Sequence, residues 1–306
     1  MTIGVLSSGK ISIPLIQALM QHRLLAWVAV TDEKNEGVEE LIAYLQNLRV
    51  PFFLMKKEEF ATLLLEKMAQ TNVFSLFVLG FPWKLPVEIL DFPTLGCWNF
   101  HFGALPEYRG NAPVFWQMKQ LEKFSVLTVH KMAKGFDEGA VAHVEKTPIL
   151  VHDTFGTVEK KLSFLAVNAM SVLVEKLFND TLSLTEQNHS LAKVYKKPVA
   201  IDVCINWQMQ TAQEIRALVT ATNPWNKGAY TRFQQQYVRL LEVNILENKK
   251  KIQAKAGTII KADNEGLWVM CKDNLILKVD ILYSDDGYFT GTQFVKFGIT
   301  KGAVFE

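Results

Sequence analysis

The chain of 306 residues is poor in several features that would define a function outright. Its three cysteines, Cys97, Cys204 and Cys271, are odd in number, far apart and never in a Cys-x-x-Cys pair. That excludes a disulfide framework and predicts no zinc site, as expected for a reduced, cytoplasmic protein. It lacks an excess of either charge: 33 Lys+Arg stand against 31 Asp+Glu, a net charge of +2, too little to set up a strong field toward nucleic acid or membrane. Long hydrophobic runs are missing too. The most apolar stretch, Val73 to Trp83, is broken by Gly80 and Pro82 and falls short of the roughly 20 residues that span a bilayer. The start of the chain, running directly into Ile3 to Leu6, has neither the basic leader nor the cleavage site of a secretion signal, so no membrane partner is expected. No glycine-rich nucleotide loop is present: Ser7-Ser8-Gly9-Lys10 lacks the full phosphate-loop frame, and no Gly-x-Gly-x-x-Gly opens the first helix. His130, His143 and His152 with Asp153 fit no metal-ligand spacing and read as surface or strand-end histidines, so no metal is predicted.

What is present is a large apolar fraction, 49%, enough for a substantial core and, at this length, about two domains. Short apolar runs recur at Ile3 to Leu6, Leu24 to Val30, Pro51 to Leu54 and Phe74 to Leu79, separated by amphipathic stretches Ile11 to His22, Val38 to Leu48 and Glu58 to Gln70. In the second stretch Val38, Leu41, Ile42 and Leu45 make one buried stripe. The alternation predicts an α/β, doubly wound (Rossmann-like) parallel sheet, continued by Gly96 to His101 and Ser125 to Lys131 and crossed by a long helix from Thr154 to Asn179. Lys193, Lys196, Lys197 and Pro198 read as a linker, giving domains of 1–197 and 198–306. Beyond a helix at Thr211 to Thr222, short strands at Tyr230 to Phe233, Tyr237 to Ile245, Gly257 to Lys261, Gly266 to Cys271 and Leu275 to Leu282 predict a small antiparallel β-barrel of the OB-like kind.

The densest unusual composition runs from Trp98 to Trp116. Asn99 and His101, two apart, project from one face of a strand whose carboxyl end gives way to a turn at Gly103 to Pro106, where open α/β sheets place ligands. An amide donates to a developing oxyanion, and a neutral imidazole accepts a proton from an attacking nitrogen. Asp137, in the glycine-flanked run Gly135-Phe136-Asp137-Glu138-Gly139, is a carboxylate that could orient the histidine or stabilise its protonated form. From spacing alone, a polar pair at a strand end is the more ordinary reading.

The run Asn99-Phe100-His101-Phe102-Gly103-Ala104-Leu105-Pro106, with Tyr108-Arg109-Gly110, Ala112-Pro113 and the 135–139 loop, resembles the signature of the formyltetrahydrofolate-dependent formyltransferases, closest to the methionyl-tRNA and amino-sugar types. Ile205-Asn206-Trp207, Ile215-Arg216-Ala217, Asn223-Pro224-Trp225 and Gly228-Ala229-Tyr230 resemble the opening of that family's C-terminal barrel, so the likeness covers nearly the whole chain. It implies a catalytic triad of Asn99, His101 and Asp137, with 10-formyltetrahydrofolate as formyl donor and no metal. It further implies an apolar pterin slot made by Phe81, Pro82, Trp83, Leu85, Leu105, Pro106, Gly135 and Phe136. Trp83 has a stacking role or a core role. The resemblance sets Arg109 near the acceptor side, where it either contacts substrate or fixes the loop by a salt bridge.

Two departures bear on the acceptor. Gly103-Ala104 stands where the family usually carries a serine before Leu-Leu-Pro, which predicts a more permissive turn. The tRNA enzymes also typically insert a basic loop after the second strand, whereas here Val30 to Gly37 passes directly into an acidic helix start, a poor clamp for a phosphate backbone. Beyond residue 200 the charges nearly balance, apart from Lys249 to Lys251, which read as a solvated hairpin tip rather than a nucleic-acid patch. The expected partners are therefore folate and a small-molecule amine, such as a nucleotide-linked amino sugar or an amino-acid derivative. Initiator methionyl-tRNA is the alternative acceptor, and a non-catalytic folate-binding regulator is the alternative of another class. Hydrolysis of the donor to formate is a further alternative.

Overall fold

The computed structural model describes residues 2–234 and 236–306. The apolar runs become strands because β-branched and aromatic residues buried on both faces favour extended backbone. They are β1 (Ile3–Ser7), β2 (Leu25–Thr31), β3 (Phe52–Met55), β4 (Ser75–Leu79) and β5 (Cys97–His101), and β1, β2 and β4 are almost entirely buried. Helices α1 (Ile13–Gln21), α2 (Glu36–Asn47), α3 (Phe60–Thr71) and α4 (Val87–Leu90) connect them. The start of α2 is set by Asn35, whose side chain accepts from the Val38 N–H at 3.0 Å, and Val38, Leu41 and Leu45 form its buried stripe.

Next in the chain come β6 (Arg109–Gly110), α5 (Pro113–Lys119), β7 (Phe124–Lys131), β8 (Val141–Pro148), α6 (Phe155–Phe178) and β9 (Val194–Tyr195). The main sheet has the order β3-β2-β1-β4-β5-β7-β8. Its first five strands are parallel, reversing direction of growth between β1 and β4, but β7 runs antiparallel to β5. The reversal matters for the site. Asn99 pairs directly with His130 and His101 with Thr128, and directly opposed residues of two antiparallel strands project from the same face. The small ladder β6-β9, unforeseen in the sequence, brings residues near 195 back against Arg109 and Gly110.

The second architecture follows helix α7 (Ala212–Ala221), which opens with a capping box between Thr211 and Glu214. Strands β10 (Ala229–Phe233), β11 (Gln236–Leu246), β12 (Ile259–Asp263), β13 (Gly266–Met270), β14 (Ile276–Ser284) and β15 (Gly287–Thr290) form one antiparallel sheet ordered β10-β11-β14-β13-β12, with β15 added to β14. A short helix α8 (Gly291–Val295) follows. The C-terminal residues close the sheet. Gly302 donates to Ile259 at one edge, and Glu306 exchanges both backbone bonds with Arg232 at the other, so neither edge is left as an unpaired ladder. Phe305, 1% exposed, stacks on Trp207 inside.

The chain forms two compact units, and they are not divided by a single cut. The second begins at Lys196 but also takes in 114–123 and 148–158, stretches that precede the linker. The reason is aromatic packing: Phe115 and Phe155 both set their edges against Trp225. Among the described residues no helix is long and apolar enough to cross a membrane.

Candidate active site

Asn99 and His101 stand at the carboxyl end of β5, and the loop after β7 carries Asp137 into contact with both. Asn99 Nδ2 donates to Asp137 Oδ1 at 3.2 Å, and His101 Nδ1 lies 3.6 Å from the same oxygen. Asp137 Oδ2 accepts from the Gly110 backbone N–H at 2.8 Å. Gly110 can turn this N–H inward because its φ is +94° and its α-carbon lies against the Tyr195 carbonyl, where a Cβ would collide.

The tautomer of His101 follows from its partners. Nε2 is 2.7 Å from the carbonyl oxygen of Tyr108, which only accepts, so the ring proton sits on Nε2 and Nδ1 is the basic nitrogen. Burial pushes the His101 pKa below its ordinary value, against the opposing pull of Asp137 and the Tyr108 bond, and keeps the ring neutral. Burial acts on Asp137 in the opposite sense, raising it, but His101, His130 and the Gly110 N–H outweigh that and hold the carboxyl well below the ordinary carboxylate range. The site therefore pairs an ionised carboxylate with a neutral base.

His130 stands near the end of β7, as one of its two expected placements had it, but not on the surface: it is 1% exposed and belongs to this cluster. Its Nδ1 donates to the Lys131 carbonyl at 3.1 Å, leaving Nε2 at 3.2 Å from Asn99 Nδ2 and 3.4 Å from Asp137 Oδ1. In the neutral ring Nε2 accepts from Asn99; in the protonated ring it faces Asp137 as a cation. The cross-strand register that brings it here is invisible in a linear reading. His143 instead pairs with Glu145, and His152 is exposed.

Gly103 reverses another expectation. The turn is not permissive, because a Cβ on Gly103 would stand 2.6 Å from His101 Nε2, 2.8 Å from Pro113 Cβ and 2.9 Å from the Tyr108 carbonyl oxygen. Glycine there is a packing requirement that lets Tyr108 reach the imidazole.

Arg109 is 4% exposed, with Nε and Nη2 donating to Gln187 Oε1 at 3.2 and 2.7 Å and Nη2 also 3.0 Å from His189 Nδ1. Its contact with the 135–139 loop is Nη1 to Glu138 Oε1 at 3.9 Å. The aromatic residues after β4 form a cluster in which Phe81 and Trp83 pack edge-on to each other and both contact Phe60. Leu85 is 3% exposed and lies in a core cluster with Phe60, Ile89 and Cys97, against which Phe81 and Trp83 pack. Pro106 is buried, Leu105 and Gly135 are half-buried, and Phe136 is 59% exposed beneath the Lys84 ammonium.

The N-terminal half of the chain, residues 19–174, matches the sequence profile described as formyl transferase, and residues 200–295 match the formyl transferase C-terminal domain. The chain belongs to the formyl transferase family. A methionyl-tRNA formyltransferase from Clostridium botulinum is 27% identical over 303 residues, covering 96% of each chain. The solved N-formyltransferase from Helicobacter canadensis, in complex with folinic acid and dTDP-3-aminofucose, superposes with a TM-score of 0.68 at 16% identity, covering 91% of this chain and 99% of that one. HypX from Aquifex aeolicus, in complex with tetrahydrofolic acid, gives a TM-score of 0.68 at 15% identity, covering 96% of this chain but 47% of its own. These structures share the fold. The formyltransferase described here thus has its polar cluster at the carboxyl end of β5, where open α/β sheets bind ligands.

Proposed function

We propose that this formyltransferase moves a formyl group from 10-formyltetrahydrofolate to a small primary amine, with Asn99, His101 and Asp137 as the reacting cluster. The observation that carries the reading is the convergence of the Asn99 amide, a neutral His101 with Nδ1 as its basic nitrogen, and the ionised Asp137 within hydrogen-bonding or ion-pair reach of one another. The attacking amine nitrogen bonds to the formyl carbon, and the carbonyl oxygen becomes an oxyanion that takes a hydrogen bond from Asn99. Both Asn99 amide hydrogens are committed, to Asp137 and to His130, so the substrate oxygen must displace one of them. The amine proton passes to His101 Nδ1, and Asp137 stabilises the imidazolium. Collapse breaks the bond from the formyl carbon to the folate nitrogen, which leaves with the proton returned by His101.

The Phe81–Trp83–Phe60 cluster and the exposed Phe136 supply apolar and aromatic surface suited to a pterin ring. The folate bound to the Helicobacter canadensis and Aquifex aeolicus proteins supports the same donor class. The small acceptor rests on the connection from β2 to α2. Only Asp32 to Asn35, carrying the single lysine Lys34, separate the two elements, α2 opens with Glu36 and Glu39, and Lys10 is paired with Glu40 at 2.8 Å. Such a rim attracts a cationic amine and repels a phosphate backbone.

A second reading, an RNA acceptor, is favoured by a different surface. Tyr230, Arg239, Tyr283 and Tyr288 are direct cross-strand partners along β10, β11, β14 and β15, with Arg239 over two of the rings and Lys227 over Tyr283. Aromatic and cationic side chains interleaved on a sheet suit stacked bases and phosphates.

The test is turnover of 10-formyltetrahydrofolate by the purified protein with a panel of amino sugars and amino acids against initiator methionyl-tRNA, with His101→Ala as control. Formylation of a small amine, reduced about 100-fold or more in the variant, supports the reading. Efficient formylation of the tRNA alone, with binding that falls steeply with salt, replaces it by the RNA acceptor. Donor turnover without any amine makes the reaction a hydrolysis, and folate binding without turnover makes the protein a non-catalytic binder.

A further inference from the structure

Asp137 carries the charge of the cluster from an unfavourable backbone. Its φ is +55°, the left-handed region that a residue with a Cβ rarely adopts unless its surroundings hold it there. The Gly110 N–H holds the carboxylate. The backbone is held by a residue 50 positions further on, Gln187.

The Gln187 side chain is buried, 7% exposed, and every hydrogen-bonding valence of its amide is used. Nε2 donates one hydrogen to the Asp137 carbonyl at 2.8 Å and the other to the Gly139 carbonyl at 2.7 Å. Oε1 accepts from Arg109 Nε at 3.2 Å and Nη2 at 2.7 Å. Only one orientation of the amide satisfies two carbonyls on one side and a guanidinium on the other, so the assignment of N and O is determined by the partners.

These bonds form a closed brace. Gln187 ties the Asp137 loop to Arg109; the residue after Arg109 is Gly110, which holds the Asp137 carboxylate. Arg109 is fixed in turn by His189 and by the ladder of β6 with β9, in which its N–H donates to the Lys193 carbonyl at 3.0 Å. The glutamine, donating to both carbonyls, thus spans from the strap at 187–195 to the loop at 135–139, both within the same unit.

We propose that Gln187 is a positioning residue for formyl transfer, which holds the Asp137 loop so that its carboxylate stays beside His101 and His130. This rests on the reaction assigned above, and the brace itself is read independently of that reaction. A misplacement of the carboxylate by about 1 Å costs on the order of 100-fold in rate when geometry is catalytic.

The experiment compares Gln187→Met, of similar length and without donors, and Gln187→Glu, which keeps the acceptor for Arg109 but sets a carboxylate against two carbonyls. Histidine ring signals are followed by NMR in the free protein, with kcat, donor KM and the pH profile measured alongside. The groups facing His101 are Asp137 and His130, with the Tyr108 carbonyl on Nε2, so a displaced Asp137 removes the one anion that raises its pKa. In both variants the His101 and His130 signals should shift and the His101 titration move to lower pH. The acid limb of kcat should follow, with kcat down about 10-fold to 100-fold and donor KM within about twofold. A residue with a merely structural part would lower the folded fraction alike at all pH values. Unmoved histidine signals, or kcat within twofold of wild type in a folded variant, would overturn the proposal. Shifted signals in a protein that proves not to transfer formyl groups would support the brace and sink the reaction instead.

Discussion

Asp137 Oδ1 faces His101 Nδ1 at 3.6 Å, a carboxylate beside a ring that burial keeps neutral. In the neutral ring Nδ1 carries no hydrogen to donate, and the distance is short enough for strong attraction once it takes a proton. The pair would stabilise the imidazolium that the proposed proton transfer from an amine forms.

That relationship sets the pH behaviour. The folded His101 pKa lies below the ordinary value of about 6.5, so the unfolded chain binds a proton first as pH falls and stability declines below that point. The folded Asp137 pKa also lies below its unfolded value, so its contribution is complete above about pH 4 and lost only in strong acid. Thermal unfolding from pH 7.5 to 5 should show a fall in Tm that is shallower in His101→Ala. Parallel curves for the two proteins would contradict it. The activity plateau should likewise extend below pH 6.5 at its acid end.

Gly103→Ala should be harmful although it adds a single methyl group. That methyl meets the imidazole, a proline ring and a backbone carbonyl at once. A loss of about 1–3 kcal/mol in stability is expected from overpacking, together with a fall in kcat of about tenfold or more as His101 is displaced. Wild-type kcat in the alanine variant would show that the turn yields without moving the ring.

Phe136 is exposed, so its removal costs little stability, yet it offers an aromatic face next to Asp137. Phe136→Ala should raise the donor KM about tenfold, the worth of roughly 1.4 kcal/mol of stacking, and leave Tm within about 1 °C. An unchanged KM would remove this ring from the folate surface.

Phe305 closes the barrel from within. Replacing a fully buried phenylalanine by alanine costs about 3–5 kcal/mol, so Phe305→Ala should lower the Tm of the second unit sharply. Calorimetry would record the change, and a Tm near wild type would mean that the backbone bonds of 302–306 suffice without the ring.

Much of this protein was legible in its residues. The periodic runs mark the parallel strands and their helices, because buried strands and amphipathic helices impose different spacings on apolar residues. The Asn99-x-His101 spacing puts both side chains on one face, and the Asp137 loop is marked by its glycines. His130 is at a strand end, one of its two expected placements, but its burial in the cluster was not legible, because only the antiparallel pairing of β7 with β5 sets it opposite Asn99. Gln187 left no mark at all, since a single glutamine 50 residues from its partner has no spacing to betray it. Gly103 was misjudged because the space around a glycine belongs to residues elsewhere, here His101, Pro113 and Tyr108.

Local periodicity was thus enough to determine the fold class, and the motifs, by the resemblance they carry, marked the strand of Asn99 and His101 and the family. The protonation of His101 and Asp137, the brace around that carboxylate and the partners of Arg109 were decided by the tertiary structure alone. The physical reason is that patterning depends on near neighbours in the chain, whereas a tautomer, a pKa and a closed hydrogen-bond circuit depend on groups that only folding brings together.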